Sequence, residues 1–135
     1  MSCKVYLHKP AAPDELLGRV EEDGKVYETR FGLDQYIGRV DISNGKIYAS
    51  RSGPDKHIGE VELDTGRAFT TRFGPDNYVG RVQADGDLYL HKPVAPDQYI
   101  GRVAEMPSYA HGGAALLLLV LPEIQKPDEP EVTTN

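Results

Sequence analysis

With 135 residues, 15 Lys and Arg against 21 Asp and Glu, and a net charge of -6, the chain has room for one modest core and no generic attraction for polyanions. Its lone cysteine, Cys3, excludes an intrachain disulfide, and its longest apolar run, residues 114–121, is far short of the roughly 20 residues of a membrane-spanning helix. The first residues, MSCKVYLHKP, lack the apolar core of a secretory signal, so the expectation is a soluble, cytoplasmic protein with no membrane partner.

A phrase of about 21 residues recurs down the chain. Each copy opens on an aromatic, at Tyr6, Tyr27, Tyr48, Phe69 and Tyr89. Each closes on an aliphatic residue followed by a glycine, at Gly18, Gly38, Gly59, Gly80 and Gly101. A fixed period in this range marks a repeat architecture. Every copy reads as strand A, turn, strand B, turn. In the second copy, strand A is Val26-Tyr27-Glu28-Thr29-Arg30-Phe31 and strand B is Tyr36-Ile37-Gly38-Arg39-Val40.

The A-to-B turns hold Gly32-Leu33-Asp34, Gly53-Pro54-Asp55 and Gly74-Pro75-Asp76, with longer Pro-bearing versions at residues 9–14 and 92–97. Pro and Gly suit turns and break strand interiors. The B-to-A turns hold Asp23-Gly24, Asn44-Gly45, Thr65-Gly66 and Asp85-Gly86, and Asn or Asp before Gly is a strong hairpin signal. Their spacing predicts two- and three-residue loops that keep Val20, Val40, Val61 and Val82 opposite the next aromatic. On that register the aromatics, valines and glycines share the core face. The other face alternates acids, cations and aliphatics.

Residues 109–115 echo residues 6–12, so the segment after Val103 reads as a sixth, degenerate unit that caps the array. Its apolar half, 116–121, suits an internal strand, with a short core helix as the alternative. The fold expected is an all-β, antiparallel β-hairpin repeat meander with five clear units and one degenerate, strongly curved or closed into a barrel. A single domain spans 1–122, and the acidic segment 123–135 is expected to be a disordered tail.

Two clusters carry candidate chemistry. Arg30, Arg51, Arg72 and Lys92 recur at one repeat position and would form a basic ladder, with Arg39 and Arg81 in the next row. Such a ladder suits a nucleic acid or an acidic polysaccharide. The alternative is solvent-facing cations paired with nearby acids. His8, His91 and His111 occupy equivalent positions and would converge if the ends of the sheet meet. Three imidazoles can hold zinc with an open position, but inheritance through repeat duplication is the favoured account of them. No cofactor motif is present.

The function these features favour is a non-enzymatic structural or protein-interaction module. It would self-associate as a homo-oligomer through the apolar C-terminal segment or an open sheet edge. An anionic-polymer binder comes second and a metal-dependent enzyme third.

Overall fold

The computed structural model describes residues 2–50, 53–71 and 77–125. Ten strands run in sequence: β1 (Ser2–Leu7), β2 (Glu15–Glu21), β3 (Lys25–Arg30), β4 (Leu33–Val40), β5 (Lys46–Ala49), β6 (Lys56–Val61), β7 (Arg67–Thr70), β8 (Asn77–Val82), β9 (Asp87–Leu90) and β10 (Gln98–Val103). Each pairs antiparallel with its sequence neighbours, and β1 pairs with β10, so the sheet is a closed barrel. The seam sets Val5 opposite Val103, Tyr6 opposite Arg102 and Leu7 opposite Gly101. The near-identical first and fifth repeats therefore meet.

Inside the barrel lies the C-terminal segment. It is a helix and not the expected strand. α1 (Tyr109–Ala114), a π-helical stretch (Ala115–Val120) and α2 (Leu121–Gln125) follow without a break. Every residue from 110 to 121 is buried. The physical reason is hydrogen bonding. A closed barrel offers no free strand edge inside it and no water, so a segment threaded through it must satisfy its own backbone. The wide turns precede Pro122, whose ring lacks an N–H and would crowd the Leu118 carbonyl in an ordinary α-helix. Helix extends to Gln125, three residues beyond the expected domain boundary. Residues 126–135 of the expected tail lie outside the described residues.

The register also differs from expectation. Val20 faces Val26 and Val40 faces Ile47, so each B-to-A turn holds one more residue than the spacing suggested. Asp23 accepts a hydrogen bond from the Lys25 amide and the Glu21 carbonyl accepts one from Gly24. The Gly24 carbonyl then accepts from the Val40 amide, which ties the turn to the next hairpin; Gly45, Gly66 and Gly86 repeat this contact. One extra residue moves strand A to its other face. Val5, Val26, Ile47, Ala68 and Leu88 line the interior with the Gly-Arg-Val valines, and the aromatics at the head of each repeat point outward. An interior filled by an aliphatic helix has no partner for a tyrosine hydroxyl.

A β-bulge in every strand B accommodates the aliphatic–glycine pair. Between Val26 and Tyr27 the partner register skips Ile37, so Ile37 and Gly38 both face inward. A Cβ at Gly38 would overlap the Tyr48 carbonyl and press on Leu118 of the helix. The glycine column is thus a column of close approach. On the helix, Gly113 lies against the Val61 side chain and Gly112 against Val82.

Packing of the helix generates the first prediction. Leu116, fully buried, should lose about 2–5 kcal/mol of stability on Leu116→Ala. Gly113→Val, forced against Val61, should cost about 1–3 kcal/mol. Urea titration reads both, and unchanged midpoints would place the helix outside the barrel.

Candidate functional site

Because the interior is taken up by aliphatic side chains, the polar chemistry lies on the outer wall. Among the described residues, four copies of one arrangement stand around it. The arginine of each Gly-Arg-Val stands opposite the aromatic of the following repeat: Arg19 opposite Tyr27, Arg39 opposite Tyr48, Arg81 opposite Tyr89 and, across the seam, Arg102 opposite Tyr6. Each guanidinium lies over its ring, 4.4, 4.2, 4.4 and 4.2 Å from the centroid in that order. The same guanidinium bonds an aspartate in the next A-to-B turn. Arg39 Nε reaches Asp55 at 2.8 Å, Arg81 reaches Asp97 at 3.0 Å, Arg102 reaches Asp14 at 3.1 Å, and Arg19 bonds Asp34. The guanidinium is planar, so it can stack on a ring and bond a carboxylate at its edge together.

The third repeat is the exception. Glu60 takes the arginine position, and the facing ring is Phe69. Further rings pair within the second to fifth hairpins, with Tyr27 against Tyr36, Tyr48 against His57, Phe69 against Tyr78 and Tyr89 against Tyr99.

These contacts set the charge states. The Arg102, Arg39 and Arg81 hydrogen bonds hold the Asp14, Asp55 and Asp97 carboxyls below the ordinary range. Asp34 is lowered by the Thr29 hydroxyl and then by Arg19. Burial raises the Tyr36 and Tyr99 phenols and the Cys3 thiol. At the B-to-A end, Asp87 is raised by burial and by its neighbour Asp85.

Arg39 and Arg81 belong to the stacked belt, and their charge is engaged by aspartate. Arg30 bonds Glu28 at 3.1 Å and lies 3.9 Å from Glu123. Lys92 is half-buried at the start of the last A-to-B turn. Arg51 and Arg72 lie outside the described residues.

The three equivalent histidines do not converge. His8 meets Asp14 at 3.4 Å and stacks near Tyr99; His91 meets Asp97 at 3.5 Å and lies near Tyr78. Both face outward. His111 sits on the helix inside the opposite end of the barrel, because the segment that carries it is not a strand of the sheet. Its Nε2–H donates to the Glu22 carbonyl at 3.0 Å, and Nδ1 pairs with the Ser108 hydroxyl at 2.8 Å. Since the carbonyl only accepts, this fixes the proton on Nε2. Among the described residues no group of three His, Cys, Asp or Glu is placed to hold a metal ion.

On the sequence alone the recurring aspartates read only as residues of the A-to-B turns, and the aromatics as core. The signal of the belt was nonetheless present. Arginine, aromatic and aspartate recur with one period, and the unit that replaces Arg with Glu60 is followed by the unit whose aromatic is Phe.

Compared with known proteins, the chain matches no family model, and neither a curated protein nor a solved structure matches it.

The depressed aspartates make the belt acid-sensitive. A carboxylate whose folded pKa lies below its unfolded value stabilises above about pH 4, and that contribution disappears as pH falls through the folded value. Asp55→Asn and Asp97→Asn should therefore be less stable than the parent at neutral pH and converge with it in acid. A pH-independent difference would contradict the pairing. Conversely, Glu60→Arg should complete the belt over Phe69 and add about 0.5–1 kcal/mol, read as a raised thermal midpoint. Lys25 already stands opposite Arg39 in the second hairpin, as Lys46 stands opposite Glu60, so the new arginine meets a tolerated neighbour.

Proposed function

We propose that the chain is a non-enzymatic interaction module that works through the outside of its barrel. The observation that carries this reading is the filling of the interior by the chain's own helix. Where a ligand-binding barrel holds a cavity, this one holds buried Ala, Leu and Val side chains. His111 has both ring nitrogens engaged, and among the described residues no buried side-chain nitrogen or oxygen lacks a partner.

Neither surface first expected to join copies is external. Residues 116–121 are internal and the sheet has no open edge. Association with a partner, another copy included, falls to the outer belt or to the turns at the barrel ends.

Size exclusion followed by metal analysis of the eluted peak tests the non-enzymatic reading. The expectation is metal-free protein whose melting does not respond to added zinc. Stoichiometric zinc, lost in His91→Ala, would overturn it.

A further inference from the structure

We propose that the outer wall between the third and fourth repeats receives an arginine side chain of a partner protein, over Phe69 and beside Glu60. This rests on the interaction-module reading and names what the module recognises.

The chain itself shows what such a place holds. At four junctions between repeats a guanidinium lies on a half-buried ring and bonds a carboxylate at its edge. At the remaining junction a ring and a carboxylate are present without the cation. Glu60 of β6 stands in register opposite Phe69 of β7, as Arg39 stands opposite Tyr48. Both Glu60 and Phe69 are half-buried on the outer wall.

Glutamate cannot replace arginine as a cover for the ring. The face of an aromatic ring is negative, so it attracts a cation and repels a carboxylate. Phe69 meets the Tyr78 ring at 5.6 Å, and no cation of the described residues lies over it. Lys46 stands on the other side of Glu60. Even so, among the described residues Glu60 makes no hydrogen bond or ion pair. Arg67, further along β7, stands opposite Arg81. Asp76, the counterpart of the turn aspartates by sequence, lies outside the described residues and is not needed for the site. A half-buried anion and a half-buried ring are thus paired across two strands, and one external guanidinium serves both.

Guanidinium suits this place better than ammonium. It is planar, so it lies flat on a ring while its N–H edge bonds a carboxylate, and it is the more weakly hydrated of the two. The net charge of -6 draws cationic partners toward the chain. Tyr78 carries the row of rings on to His91 at 4.7 Å, which gives the residues flanking such an arginine an aromatic surface to pack on. Arginine and aromatic residues are the common anchors of protein interfaces.

Nuclear magnetic resonance of the full chain titrated with Nα-acetyl-arginine amide, and with Nα-acetyl-lysine amide at equal ionic strength, tests the proposal. The arginine amide should give saturable shifts at the Phe69 ring and the Glu60 carboxylate, at about fivefold lower concentration than the lysine amide. Glu60→Gln should weaken its binding about fivefold. Phe69→Leu, which keeps the bulk and removes the aromatic face, should weaken it about threefold. Glu60→Arg supplies the missing guanidinium, so it should abolish the shifts while raising the thermal midpoint. Asp64→Asn, at an exposed acid outside the site, should leave them unchanged. No saturable shift at Phe69, an equal response to the lysine amide, or a loss on Asp64→Asn as large as on Glu60→Gln would overturn the proposal. So would a dimer in size exclusion that Glu60→Arg abolishes, which would make a second copy the occupant. A metal-free protein that ignores the arginine amide sinks the arginine site alone, whereas bound zinc sinks the interaction reading beneath it.

Discussion

Closing a β-sheet around an aliphatic helix is the constraint from which the rest of this structure follows. Inside such a barrel there is no strand edge, so the threaded segment must be helical, and an inward side chain must be apolar or, like His111, carry its own hydrogen-bond partners. That requirement sends the tyrosines to the outer wall. It also explains the aliphatic–glycine bulges: Ile37 and its counterparts face the helix, while the adjoining glycine lets the next strand's carbonyl approach. The helix and the sheet have no separate cores. Val61 and Val82 of the wall pack on Gly113 and Gly112 of the helix, and Leu118 reaches Gly38.

The outer belt answers a different problem. A meander held only by neighbouring hairpins can close in error or slip by a residue. The arginine clamp joins one repeat to the next through a ring and a turn carboxylate together, and its fourth copy crosses the seam from Arg102 to Tyr6 and Asp14. Planar cations on aromatic faces also cover rings that would otherwise lie open to water. Register, closure and the covering of the outer rings are thus served by the same three residue types.

The period, the hairpins, the five repeats and the barrel were legible in the sequence because Gly, Pro and Asp mark the turns. Two things were not. Register was lost because Val26 and Tyr27 are both apolar and adjacent, so alternation alone cannot say which faces in. One added residue in the Glu22-Asp23-Gly24 turn decides it. The C-terminal unit was lost because Tyr109 and His111 imitate Tyr6 and His8, while Ala and Leu after them suit strand and helix alike. Only closure of the sheet around them selects helix. The candidate site suffered from the same two errors. Arginine and aromatic fell on opposite faces of the inferred sheet, and His111 was placed beside His8 and His91.

The most direct test of the central constraint is native-state hydrogen exchange of the helix amides. If residues 115–121 run through the closed barrel, their amides exchange only when the whole domain unfolds, with the same free energy as the β1–β10 seam. Exchange of these amides well ahead of the strands would show that the helix leaves while the barrel stands, and would contradict the account.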